Sequence, residues 1–402
     1  MKCVRKVTED LYWVGANDKR LHLFESIHPI EEGVSYNSYL LLDEKTVLFD
    51  TADSSVYEQF VENVEAVLNG RHLDYMVINH LEPDHAASMN EVILRHPDVK
   101  IVSTEKAQML MHQFGYEIDD NFIMVDEGDT MSFGKHTVTF VKAPMVHWPE
   151  VMLTFDVTNG VLFSADAFGS FKSLDGCLFA DEVDFKNDWL DEARRYYCNI
   201  VGKYGPQVME VLKKAGTIDI KIICPLHGPV WRKDLGWIID KYVHWATYTP
   251  EEKGVLICYA SMYGHTQNAA NILACKLHEK GMHNIRMYDV AETHVSYLIG
   301  EAFKLSHIAL LSVTYNLNVF PPMQNFLDDM KRLNLQKRVV ALVENGSWAP
   351  KAGDIMYETL DEMKQMTVLN EQVSLLSAVN KMTEDELDGL ADSIIESMSQ
   401  EY

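Results

Sequence analysis

Apolar positions fall into two rhythms along the chain. In the first part, short apolar runs are closed by turn residues: residues 38–42 (SYLLL) and 46–50 (TVLFD) flank Asp43, Glu44 and Lys45, a spacing that predicts a β-hairpin. Residues 151–155 and 161–163 flank Asn159 and Gly160, a dipeptide that favours a type I′ turn. Between these strands, residues 57–68 and 106–114 repeat apolar side chains at helical spacing. Further on, the rhythm becomes regular. Apolar runs at residues 255–259, 284–288, 307–311 and 339–343 are separated by helix-like segments such as 267–280 and 323–333. Strand and helix in that alternation predict a parallel sheet with helices on both faces. The polar stretch 248–254, containing Pro250 and Gly254, separates the two patterns and sets the expected domains at 1–250 and 251–402.

Composition narrows the function classes. The chain has 402 residues and is 47% hydrophobic, enough to bury a core in each domain and to exclude a disordered acidic tail. Lys and Arg number 35 against 60 Asp and Glu, a net charge of −25, so phosphate backbones and anionic lipid are poor partners and neither nucleic acid nor a membrane is expected. The six cysteines are dispersed without a CxxC pair, which argues against a disulfide framework or a zinc ribbon and for a reducing compartment. The first residues lack the apolar centre of a signal peptide, and no apolar run is long enough to span a bilayer. A cytoplasmic protein is expected.

Candidate metal chemistry begins after the apolar run at 75–79. The segment HLEPDHAAS places His80, Glu82, Asp84 and His85 within six residues. Alternation at a strand end turns His80 and Glu82 toward one point, while the adjacent Asp84 and His85 reach toward a second. A solvated polar loop is the plain alternative, but His147, Asp166 and His227 each also follow an apolar strand and precede turn residues. The order and spacing resemble the metallo-β-lactamase superfamily, whose usual signature is His-x-His-x-Asp-His followed by His, Asp and His. That resemblance implies His80, Glu82 and His147 on one metal and Asp84, His85 and His227 on the other, with Asp166 as a bridge. Glu82 stands where a histidine is usual. An added anionic oxygen ligand suits iron better than zinc, because three carboxylates offset charge as ferrous ions become ferric.

A second site opens at residue 261. Ser261, Met262, Tyr263, Gly264, His265 and Thr266 lie between an apolar strand and a helix start, so hydroxyls, backbone N–H groups and the helix dipole can cradle a phosphate. The lysine and spacing of a P-loop are absent. This loop resembles the flavodoxin signature. Two further strand-end loops, with Val313, Thr314, Tyr315 and Asn316 and with Asn345, Gly346, Ser347 and Trp348, fall where a flavodoxin places its isoalloxazine contacts.

Taken together, GVSYNSYLL, HLEPDHAAS, the His147, Asp166 and His227 loops, ARRYYCNIVGKYG and the flavin loops resemble the flavodiiron proteins, or A-type flavoproteins, over essentially the whole chain. The resemblance implies an α/β protein: an N-terminal metallo-β-lactamase-like αββα sandwich and a C-terminal flavodoxin-like doubly wound parallel sheet. It implies FMN and two non-haem iron ions per chain, and reduction of O2 to water and/or NO to N2O. A separate electron donor is expected, rubredoxin or a reduced deazaflavin coenzyme, because the sequence shows no rubredoxin-type CxxC pair. A head-to-tail homodimer or dimer of dimers is the implied assembly. Glu25 falls where many members carry a histidine, with His28 close by, and Tyr196 or Tyr197 is a candidate proton donor. The competing reading is a dizinc metallo-hydrolase with an accessory flavodoxin-like domain.

Overall fold

The hairpin expected at residues 38–50 forms, with Tyr39–Leu42 antiparallel to Thr46–Phe49, and lies in the middle of a seven-stranded sheet in a computed structural model that describes residues 2–399. The chain divides into two units, Met1–Val243 and His244–Tyr402. In the first unit, the sheet runs Arg5–Lys6, Leu11–Trp13, Tyr39–Leu42, Thr46–Phe49, Tyr75–Val77, Lys100–Ser103 and Phe122–Met124. Its pairings are antiparallel up to Thr46–Phe49 and parallel beyond it. A five-stranded sheet follows in the order Thr130–Ser132, Thr137–Lys142, Met152–Asp156, Val161–Phe163 and Ile222–Cys224.

The two sheets meet through buried side chains. Phe49 of the first stacks on Phe163 of the second at 3.8 Å, and the Tyr39 ring meets Phe163 edge-on at 5.7 Å. Outside the first sheet, helix Tyr57–Leu68 buries Phe60, Val61, Val64 and Leu68, the one-sided spacing that its sequence shows. Helix Gly205–Ala215 buries Val208 and Val211 outside the second. Helix, sheet, sheet and helix therefore layer as expected. The type I′ turn does not form. Residues 157–160 make a longer loop in which Gly160 alone has a positive φ, 70°, because the Asp156 carboxylate accepts the Thr158 N–H and the Asp156 carbonyl accepts the Gly160 N–H.

In the second unit, five parallel strands run in the order Ile285–Asp289, Glu252–Ala260, Leu305–Tyr315, Val339–Asn345 and Thr367–Leu375. Numbered along the chain this is 2-1-3-4-5, the flavodoxin-like order. Alternate residues of each strand face opposite sides. Val255, Ile257, Ala309, Leu311 and Val343 pack with Leu273 and Leu277 of helix His265–Glu279 and with Leu387, Leu390 and Ile394 of helix Lys381–Met398. Helices Val295–Lys304 and Pro321–Arg332 pack together and bury Leu298, Phe303, Phe326 and Met330. The first strand begins at Glu252 rather than 255, extended past an irregularity by pairing of Glu252 with Leu305. Among the described residues, no helix is long and apolar enough to cross a membrane.

Candidate metal and flavin sites

The sandwich gathers all seven predicted metal residues at its strand ends. His80 follows strand Tyr75–Val77, Glu82 caps the four-residue helix Pro83–Ala86 that carries Asp84 and His85, and His147 lies in the loop after Thr137–Lys142. Asp166 and His227 follow the parallel neighbours Val161–Phe163 and Ile222–Cys224. Two groups result: His80, Glu82, His147 and Asp166, and Asp84, His85 and His227.

Asp166 joins them. Its Oδ2 lies 3.3 Å from His80 Nε2 and 3.1 Å from His147 Nε2, while its Oδ1 lies 3.1 Å from His85 Nε2 and 3.7 Å from His227 Nε2. Glu82 Oε2 closes the first group at 3.3 Å from His80 and 3.0 Å from His147, and Asp84 Oδ2 closes the second at 3.2 Å from both His85 and His227. Proximity does not amount to satisfaction. Both Asp84 oxygens, Asp166 Oδ1, His85 Nε2 and His227 Nε2 are buried without a hydrogen-bond partner, which is costly unless a cation takes their lone pairs. Carboxylate and imidazole donors in two groups sharing one aspartate fit a pair of first-row metal ions.

Outer contacts fix the rings. His227 Nδ1 is 2.7 Å from the Ser35 carbonyl, so it carries the proton and Nε2 keeps its lone pair for the cluster. His80 Nδ1 is 2.9 Å from Glu150 Oε1, with Nε2 again turned inward. Gly228, at φ 71°, lets the chain turn directly after His227 against Ser170. Burial opposes charge on His80, but Asp166, Glu150 and Glu82 outweigh it and push its imidazole well above the ordinary value. His147 is likewise opposed by burial, yet raised to about 9 by Asp166 and Glu82. Burial would raise Asp166; the surrounding histidines, led by His80, hold it well below the usual carboxylate range. The cluster attracts positive charge.

Around it, burial together with the neighbouring Glu82 charge pushes Glu25 up to about 8. His28 Nε2 lies 3.7 Å from the Glu25 carboxylate. The Tyr196 ring is 5.4 Å from that of His227, and its buried hydroxyl has no hydrogen-bond partner. Tyr197 packs edge-on against Tyr242 instead, at 5.0 Å.

The second unit forms a cleft of about 530 Å³ at the carboxyl ends of its strands. It is lined by thirteen of the fourteen predicted flavin residues: Ser261, Met262, Tyr263, His265 and Thr266, Val313 to Asn316, and Asn345 to Trp348. The fourteenth, Gly264, adopts φ 88° at the N-cap of helix His265–Glu279, and its N–H donates to Ser261 Oγ at 3.1 Å. That turn points the first N–H groups of a long helix at the cleft, the arrangement a phosphate needs. Asn345 crosses between loops by donating to Thr266 Oγ1 and to the Ser377 carbonyl.

The two predicted flavin loops also bring Leu317 and Ala349 to the cleft, whereas Glu150, Ser35 and Ser377 lie outside the predicted site. Glu150 stands three positions after His147, a carboxylate beside a predicted ligand loop, which was a usable signal. Ser377 follows a strand that was not predicted, so nothing marked it. Ser35 contributes a backbone carbonyl, which no side-chain pattern reveals.

Residues 34–228 match the family described as ODP family beta lactamase. The chain is 31% identical to the nitric oxide reductase of Moorella thermoacetica, over 89% of this chain and 90% of that one. Among solved structures it superposes on rubredoxin oxygen:oxidoreductase from Desulfovibrio gigas with a TM-score of 0.91 at 28% identity, covering 98% of each chain. It superposes on the flavodiiron protein from Giardia intestinalis with a TM-score of 0.91 at 26% identity, covering 98% of this chain and 97% of that one. With its paired ligand groups, its flavodoxin-ordered sheet and these relatives, the chain belongs to the flavodiiron protein family.

Proposed function

We propose that this chain takes electrons from a separate donor onto FMN and delivers them through a non-haem diiron centre to a small gas, reducing O2 to water and/or NO to N2O. The iron is assigned to residues 1–250, held by His80, Glu82 and His147 and by Asp84, His85 and His227 with Asp166 between; FMN is assigned to residues 251–402. The observation that carries the reading is the orientation of Asp166, whose two oxygens serve two separate ligand groups that contain further carboxylates as well as histidines. Bound in the cleft, FMN would supply electron-carrying chemistry, and a pair of irons held by the seven residues would supply redox-active positions open to the gas.

The protein supplies position and protons. Glu150 and Ser35 hold the His80 and His227 rings with Nε2 inward. The unpartnered Tyr196 hydroxyl lies within electrostatic reach of Asp166, Asp84 and Glu82, and offers a hydrogen bond to a small molecule there. Glu25, pushed up by burial and by the neighbouring Glu82 charge, places a carboxyl group beside the cluster. In the second unit, Ser261, Thr266 and the helix N-terminus suit the flavin phosphate, and Tyr315 and Trp348 suit its ring.

The named activities of the relatives favour this reading over a dizinc hydrolase. A rubredoxin-type donor is supported by the Desulfovibrio gigas relative, and a cytoplasmic setting by cysteine usage. A homodimer is supported by the cleft rim, where Trp348 is 88% and Tyr263 86% exposed, an apolar surface that a single chain leaves open. The test is metal and flavin analysis of purified protein, then anaerobic reduction and separate rapid mixing with O2 and with NO. Iron, FMN and reoxidation by at least one gas are expected, and the faster gas identifies the preferred substrate. Zinc without flavin absorption sinks the proposal.

A further inference from the structure

The two ligand groups are anchored by different means. In the first, the buried Glu150 carboxylate backs His80 and also takes the Leu81 N–H at 3.0 Å. In the second, His227 is backed by a carbonyl, and Asp84 and His85 ride on the single helical turn Pro83–Ala86. One turn has no cooperative stability of its own, and its last carbonyls find no partner inside it. Partners come from elsewhere. Thr51, fully buried just past strand Thr46–Phe49, directs its N–H at 2.8 Å and its hydroxyl at 2.7 Å to the His85 carbonyl. The Tyr116 hydroxyl donates to the next carbonyl, that of Ala86, at 2.9 Å. Tyr116 is itself fixed by the turn that ends helix Glu105–Gln113, where its N–H donates to the Met111 carbonyl at 3.0 Å. Three donors from two distant segments thus converge on consecutive carbonyls of the turn that bears two ligands.

We propose that Thr51 and Tyr116 are positioning residues that set how tightly the Asp84, His85 and His227 group retains its iron, and that this group releases metal before the Glu150-backed group does. The inference rests on the diiron reading above. Neither side chain is among the ligands; both act through the backbone of residues 85 and 86. Removing an outer partner of a metal ligand typically lowers metal affinity about 10–100-fold, and the loss here falls on one ion of the pair.

Iron-loaded, FMN-bound protein is titrated anaerobically with a chelator while iron per chain and flavin absorbance are followed. The unaltered protein releases iron in two steps. In Tyr116→Phe and in Thr51→Val, the earlier step moves to about 10–100-fold lower chelator, while the later step and the flavin signal stay in place. Thr51→Ser, which keeps the hydroxyl, behaves as the unaltered protein. Release of both irons in one step, unchanged release in both disruptive variants, a joint shift of both steps, or a serine variant as impaired as the valine variant each overturns the inference. Failure of the unaltered protein to bind iron at all sinks the diiron reading itself, and is told apart by the metal analysis that precedes the titration.

Discussion

Glu82 is the residue on which the choice of metal turns. Its carboxylate lies 3.3 and 3.0 Å from the two histidines of its group, so it faces the same point as they do and is a proposed ligand beside them. An imidazole there would remove one anionic oxygen and leave a nitrogen-rich set better suited to zinc. Glu82→His is therefore expected to shift metal preference toward zinc by about tenfold or more, roughly 1.4 kcal/mol, when the protein is loaded from equal iron and zinc, with FMN content unchanged. An unaltered iron-to-zinc ratio would show that the carboxylate does not decide the metal. The seven candidate ligands were legible in sequence because each is a polar residue stranded at the end of an apolar strand. Glu150 is marked only by its place three residues after His147, and Ser35 not at all, because both act on histidines instead of joining the cluster.

At the scale of elements, legibility followed periodicity. Strands at 255–259, 307–311 and 339–343 are continuous apolar runs and were found; strand Thr367–Leu375 is interrupted by Asn370, Glu371 and Gln372 and was not. Among the described residues it pairs with Val339–Asn345 alone, through a shifted register, so its outer edge meets no strand of this sheet there and its pattern is polar. The same unit contains a tie that no periodicity could show. Arg338, 1% exposed, donates to the carbonyls of Ala302 and Phe303, near the end of helix Val295–Lys304, and to that of Tyr248, each at 2.7 Å. Replacing it with Met leaves those carbonyls buried without their donor. Arg338→Met is expected to destabilise the second unit by about 3 kcal/mol or more, seen as a lower urea midpoint for loss of bound flavin. A midpoint equal to that of the unaltered protein would show that water or neighbours replace the guanidinium.

For the whole molecule, the assignment of iron to one unit and flavin to the other makes a thermodynamic claim. A ligand stabilises only what binds it, by about 2.7 kcal/mol at a hundredfold excess over Kd. Without metal, the first unit must also keep Asp84, His85, Asp166 and His227 buried with lone pairs unmet, a cost that metal binding there relieves. Calorimetry should thus resolve two transitions, one lowered by chelation and restored by ferrous iron, the other lowered by flavin removal and restored by FMN. A chain of this size with two units has no reason to melt as one cooperative block unless they are strongly coupled. If one transition appears and moves equally with either treatment, the two sites share a single folding unit, and the division of labour argued from their separate sheets does not hold.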